Sequence, residues 1–299
     1  MIKRLLMLGA VLCSATLGMA QTSGPILSYT FNEVAVNPAY IGAYEGFTAG
    51  LNARKQSLNV EGAPSAQRMN IAMPLGNTKG SVGLLLNNNS FGVTSQLDVM
   101  AQYSYKLQLS NGSLYFGLQG GGESLKESNE DLLIKDQETT GLFANTSRAF
   151  AFNAGFGMYY DGDKYYIGLS APQFFYNSFK GNEVTSQLFD KNMFRTYLAA
   201  GYTFATSQGM KLRPSGLVCY QASGSVNAEG VLTALFMDDT FWIGALYRTS
   251  QEAGLNIGFK IQKLIGLNYS FGAGTGELSQ QAGTTHELGL RLSIPAKKN

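Results

Sequence analysis

The stretch Thr285-His286-Glu287-Leu288-Gly289-Leu290-Arg291-Leu292-Ser293-Ile294 carries two chemically separate faces. Leu288, Leu290, Leu292 and Ile294 fall on one side, and Glu287, Gly289, Arg291 and Ser293 on the other. A period of two is the signature of an extended strand, here with one apolar and one wet face. Such a strand belongs between two different solvents. Pro295 cannot donate a ladder hydrogen bond and ends it, leaving a polar tail over residues 295–299.

About fourteen segments near ten residues long repeat this design between residues 47 and 294, which is the length a tilted strand needs to cross a bilayer. In one of them Leu97, Val99, Ala101, Tyr103, Tyr105 and Leu107 alternate with Asp98, Met100, Gln102, Ser104 and Lys106. In another, Ile265, Leu267, Tyr269 and Phe271 alternate with Gly266, Asn268 and Ser270. A soluble sandwich alternates as well, so the connections decide between the two. Every second one is a tight turn, such as Asn77-Thr78-Lys79, Ser110-Asn111-Gly112, Asp161-Gly162-Asp163, Ser207-Gln208-Gly209, Asp238-Asp239 and Gln262-Lys263. The connections between them run longer, notably Lys55–Ser65, Ser124–Ala149, Gln173–Met193 and Gly272–Thr285, with two short ones near Gly224 and Gln251. That parity belongs to an outer-membrane barrel with short periplasmic turns. The expected fold is therefore all-β, a transmembrane outer-membrane antiparallel β-barrel of about 14 strands preceded by a short non-strand N-terminal segment. Closure removes the sheet edges that lipid does not tolerate.

Composition agrees. The chain has 299 residues, 36 of them Gly, and only 14% charged residues, well under the usual quarter or so. A net charge of +2 without a Lys/Arg block provides no electrostatic footprint for nucleic acid. The first residues read as a secretory signal over 1–20: Lys3-Arg4, the apolar run Leu5 to Leu12, then small residues, with cleavage between Ala20 and Gln21. Leu12 is too bulky to precede a lipoprotein cysteine at Cys13. Only Cys219 then remains, so no internal disulfide forms.

Residues 21–46 show no clean alternation but hold Tyr29, Phe31 and Tyr40, too much large apolar surface for a mobile leader. These three are expected to anchor the segment at the periplasmic mouth or in the lumen. Among the inward charges, parity places Arg54 near the outer end of the first strand and Glu287 near that of the last. Closure makes those strands neighbours, so Arg54 and Glu287 are expected to pair at the seam, with Arg68 as competing partner. Aromatics at Tyr159-Tyr160, Tyr165-Tyr166 and Phe241-Trp242 suit an interfacial girdle. Pro214 is expected near the periplasmic rim or at a bulge.

Catalytic chemistry is hard to assemble from these residues. His286, the one histidine, shares the parity of the apolar side chains, and no His/Cys/Asp/Glu cluster has metal-ligand spacing. Gly120-Gly121-Gly122 lacks the following phosphate-loop residues. The expectation is a non-enzyme with no cofactor or metal.

Several motifs resemble the PorP/SprF family of type IX secretion outer-membrane proteins. They are Asn37-Pro38-Ala39-Tyr40-Ile41-Gly42, Arg54-Lys55-Gln56 with Glu61-Gly62-Ala63-Pro64, Gly83-Leu84-Leu85-Leu86-Asn87-Asn88 with Phe91-Gly92, Tyr103-Ser104-Tyr105, and Thr285-His286-Glu287-Leu288. Ser57 and Ser28-Tyr29 depart from the family's usual Trp and Gln-Tyr. The resemblance implies a barrel in outer-membrane lipid that supports secretion or surface attachment of cargo. Its implied partners are the periplasmic ring, the translocon, and cargo or an adhesin bearing a type IX C-terminal signal, in Bacteroidetes with gliding motility and surface export. The alternative is a passive porin or a channel for lipophilic substrates.

Overall fold

The computed structural model describes residues 27, 29–57, 60, 62–76, 78–128, 146–180, 182–206, 209–276 and 283–296. The signal segment with Ala20 and Gln21, part of several loops including 129–145, and the last three residues lie outside them.

Three short 3₁₀ turns, Tyr29–Phe31, Glu33–Ala35 and Pro38–Ala43, precede the strands. The strands are β1 (Gly46–Gln56), β2 (Ser65–Pro74), β3 (Gly80–Phe91), β4 (Thr94–Leu109), β5 (Gly112–Ser128), β6 (Thr146–Gly162), β7 (Tyr165–Ala171), β8 (Phe175–Lys180), β9 (Glu183–Leu188), β10 (Arg195–Tyr202), β11 (Phe204–Ala205), β12 (Lys211–Gln221), β13 (Val226–Phe236), β14 (Phe241–Arg248), β15 (Glu252–Ile261), β16 (Ile265–Gly274) and β17 (Thr284–Pro295). Consecutive barrel strands pair antiparallel, and β1 pairs with β17 to form the seam. Pairing of β10 with β12 completes the circuit, a closed barrel of 14 strands. The two-residue β11 continues the line of β10, and β8–β9 form a separate hairpin.

The distribution of side chains is that of a membrane barrel, with apolar groups outside and polar groups inside. Leu288 is 63% exposed while its neighbour Glu287 is fully buried. Leu51, Leu118, Phe152, Leu169, Leu232 and Leu255 likewise face outward, and Asn52, Gln102, Asn153, Thr233, Asn256 and Asn268 are buried inside. No helix among the described residues is long and apolar enough to cross a membrane; the strands cross.

The short turns have the geometry hairpins require. Asp238 and Asp239 have φ of 53° and 62°, and Gln262 and Lys263 have φ of 51° and 59°. Positive φ at both central residues matches the right-handed twist of the flanking strands. At Pro214 the β10–β12 ladder stops at Gly201–Ser215 and resumes only at Phe204–Leu212. The missing N–H explains the gap, and Arg213 Nε donates to Thr203 Oγ1 there at 3.0 Å.

The structure corrects three details of the sequence reading. Strand continues through Ser128 and resumes at Thr146, so the long connection is shorter than Ser124–Ala149, because β5 and β6 keep pairing from Ser124–Phe150 to Ser128–Thr146. The connection Gln173–Met193 contains the β8–β9 hairpin. Half of the supposed girdle faces inward: Tyr159 and Trp242 are buried, and Tyr166 packs beside Tyr159. Adjacent residues in a strand point to opposite faces, so only Tyr160 and Tyr165, whose tilted rings lie 5.3 Å apart, and Phe241 remain outside.

Candidate functional site

Leu27 and residues 29–44 of the chain itself lie inside the barrel, against its inner wall. Asn37 organises this segment locally: its Oδ1 accepts from the Ala39 amide at 2.9 Å, Pro38 supplies the fixed φ of a first helical position, and the turn Pro38–Ala43 follows. Leu27, Tyr29, Phe31, Val34, Val36, Ala39 and Ile41 are all buried.

Together these residues meet five sectors of the wall. Leu27 and Tyr29 pack on Val231 and Leu246, Phe31 on Leu235 and Trp242, Val34 and Ile41 on Ala72, Val36 on Tyr197, and Ala39 on Tyr115 and Tyr159. Polar contacts satisfy the backbone between them. Ser104 Oγ donates to Ala39 O at 3.0 Å, Ser170 Oγ to Val36 O at 2.6 Å, and Asn37 Nδ2 to Met158 O at 2.9 Å. At two places the wall is glycine because the segment leaves no room for a side chain. A Cβ on Gly117 would lie 2.1 Å from Ala39 N, and one on Gly157 would lie 2.1 Å from Asn37 Oδ1.

Tyr29 has its hydroxyl 3.3 Å from that of Tyr166, Phe31 stacks on Trp242 with centroids 6.0 Å apart, and Tyr40 sits edge-on to Tyr159 at 4.9 Å. Arg291 grips the same segment. Its guanidinium lies 4.5 Å over the Phe31 ring, donates to Phe31 O, and reaches Glu33 Oε2 at 3.3 Å. Tyr40 Oη donates to the other Glu33 oxygen at 3.1 Å. Burial pushes the Glu33 carboxyl above its usual range, and Arg291 opposes that shift.

At the seam, Arg54 is the register partner of Glu287, and Arg68 is the partner of Asn52. Glu287 is fully buried, with Arg54 and Arg68 at 6% and 7% exposure. Glu287 Oε2 accepts the Leu27 amide at 2.7 Å and Oε1 accepts Asn52 Nδ2 at 3.1 Å. The seam is therefore tied to the start of the lumen segment, which then runs toward Gly46, beside Pro295 at the short-turn end. Inward charges recur on β13–β15, where Arg248 pairs with Glu229 and, at 3.0 Å, with Glu252.

Sequence reasoning left out Glu33, Glu252, Glu123 and the inward course of Trp242. A signal for the tryptophan was present: Trp242 shares the parity of Arg248, which reads as inward.

Trp242 is the sole tryptophan and donates from Nε1 to Asn268 Oδ1 at 3.1 Å. It reports directly on seating of the segment. Phe31→Ala removes a buried ring, a change worth about 3–5 kcal/mol in well-packed sites. The purified variant is expected to show Trp242 emission shifted to longer wavelength. Emission identical to the parent barrel would mean that Phe31 does not hold the segment against the wall.

The sequence pattern described as type IX secretion system membrane protein PorP/SprF matches residues 19–292. The chain belongs to the PorP/SprF family. No curated protein matches the sequence. Among solved structures, this PorP/SprF barrel is similar to the CymD monoaromatic hydrocarbon channel (TM-score 0.56, 12% identity, covering 94% of this chain and 95% of that one). It is also similar to the Ralstonia pickettii toluene transporter TbuX (TM-score 0.55, 10% identity, 93% and 96% covered) and the P. putida toluene transporter TodX (TM-score 0.50, 9% identity, 90% and 95% covered). At these identities the likeness establishes the fold. The PorP/SprF chain is thus an outer-membrane barrel of the type IX secretion system, and no group of three or more His, Cys, Asp or Glu among the described residues is placed to hold a metal.

Proposed function

We propose that this barrel serves type IX secretion as a closed, protein-binding component. It would support export or surface attachment of cargo, gliding-type adhesins included, without passing cargo through its lumen. The observation that carries this reading is the lumen itself: segment 27–44 touches β2, β4–β7, β10, β13, β14 and β17. A barrel so filled offers its rims and outer loops to partners, which here would be the periplasmic ring and translocon below and cargo with a type IX C-terminal signal above. In this arrangement the short turns and both termini of the mature chain face the periplasm. The architecture shared with hydrocarbon channels supports a second reading, a passive or lipophile channel, for which segment 27–44 would have to leave the lumen.

Deletion of the gene is expected to abolish release or display of type IX cargo, and the intact barrel to restore it. Unaltered export alongside solute uptake lost in the deletion strain would favour the channel. Orientation has its own test. Protease added to whole cells is expected to cut in the β8–β9 hairpin, whose Leu188 and adjoining Phe189 are more than half exposed. Cleavage at Asp161-Gly162-Asp163 instead would invert the topology.

A further inference from the structure

Between the β8–β9 hairpin and the barrel mouth lies a cavity of about 390 Å³, which shares Tyr197 with the contacts of the lumen segment described above. Its lining includes Phe174, Phe175, Tyr176, Phe179, Phe194 and Glu123. Glu123 is only 7% exposed, yet the groups that hold it are amides: Asn177 Nδ2 donates at 2.7 Å, Gln96 Nε2 at 2.8 Å and Asn153 Nδ2 at 3.5 Å. The residue directly opposite it in the β4–β5 register is another acid, Asp98, 5% exposed, which the same Gln96 Nε2 reaches at 3.1 Å. Among the described residues neither carboxyl has a cationic nitrogen within 4.0 Å. Arg195 also lines the cavity, but its Nε is turned to Gln221 Oε1 at 3.3 Å.

Like charges directly opposite each other across a strand pair repel, and burial strengthens the repulsion. Three amide donors orient a carboxylate but bring no positive charge. Aromatic faces around an open volume supply the attraction that an ammonium or guanidinium finds over a ring, together with apolar contact for its stem. We propose that this cavity binds an alkylammonium or guanidinium group on an apolar stem, the chemistry of a lysine or arginine side chain presented by a partner polypeptide, with Glu123 as its counter-ion. This chemistry holds whether or not the barrel serves secretion.

The test uses the full-length barrel purified in detergent and ligand-observed NMR titration. The probes are the capped tripeptides Gly-Lys-Gly, Gly-Arg-Gly and Gly-norleucine-Gly, with n-butylammonium as the free amine. Norleucine keeps the stem and removes the charge. The lysine and arginine peptides are expected to bind at least tenfold more tightly than the norleucine peptide, a difference of about 1.4 kcal/mol. Glu123→Gln should erase that preference. Glu123→Asp, which keeps the charge and shortens its reach, should reduce it and guards against misreading a folding defect, as does heat-modifiable gel migration of both variants. Butylammonium matching the lysine peptide would assign recognition to the ammonium alone, and weaker butylammonium binding would assign it to the peptide-borne side chain; both support a cation site. Equal binding of lysine and norleucine peptides, no binding by any probe, or undiminished preference in a folded Glu123→Gln barrel would overturn the proposal.

Discussion

Deletion of residues 27–44 from the mature barrel is expected to turn an electrically quiet protein into a steady conductor in planar bilayers. The deletion removes the buried hydrophobic residues Leu27, Tyr29, Phe31, Val34, Val36, Ala39 and Ile41 without touching a strand. Burying a large apolar side chain contributes roughly 1.5–3 kcal/mol, so the segment is held by many contacts and does not leave the lumen readily by thermal fluctuation. The barrel keeps every ladder from β1–β17 round to β10–β12, and its inner wall, lined by Asn52, Gln102, Thr233, Asn256, Asn268 and Ser270, is polar enough to stay hydrated once the segment is gone. Heat-modifiable migration should therefore survive the deletion while conductance appears. Milder relatives of this change are Gly117→Val and Gly157→Val, which drive a side chain into the backbone of Ala39 and the capping carbonyl of Asn37. Equal conductance in intact and deleted proteins would mean that the lumen segment is not the seal.

Glu287→Arg is expected to be the most damaging single substitution in the barrel wall. An ion pair across an antiparallel strand pair contributes roughly 0.2–1 kcal/mol. Glu287 is fully buried, however, and breaking a buried ionic network by altering one member costs about 3–5 kcal/mol. The reversal would add a third cation beside Arg54 and Arg68. Reversing both seam positions, Arg54→Glu with Glu287→Arg, should recover heat-resistant migration. It should not recover full seating of the lumen segment, because the Leu27 amide and Asn52 Nδ2 both need the acceptor that Glu287 provides. Two measurements separate the effects: gel migration follows the barrel, and Trp242 emission or conductance follows the segment. Double reversal no better than the worse single variant would sink the seam pairing. Full recovery of both readouts would sink the link between the seam and the lumen segment.

Much of the fold was legible because a membrane barrel is written locally. Each strand must alternate, as Leu288-Gly289-Leu290-Arg291 does, since one face meets lipid and the other the lumen, and tight turns must recur on one side only. The strand number, the inward course of Arg54, Arg68 and Glu287, and the position of Pro214 near the short-turn end all follow from that period and parity. The girdle expectation fails where it sets parity aside: chemistry groups Trp242 with Phe241, although neighbouring residues in a strand cannot share a face. The β8–β9 hairpin lacked a signal of comparable strength, because outside the membrane no second solvent enforces alternation; Glu183–Leu188 is mostly exposed on both faces.

The sequence by itself determined an antiparallel barrel in a membrane, its register of inside and outside, and a leading segment too rich in Tyr29, Phe31 and Tyr40 to remain in water. Only the tertiary structure decided where that segment goes and what it meets, because its partners come from strands as distant as β4 and β17 and share no local period with it. The same holds for the seam. Closure brings Arg54 opposite Glu287 across more than two hundred residues of chain, but the third participant, the Leu27 amide, is a backbone group with no side-chain signature, and only folding delivers it to the buried carboxylate.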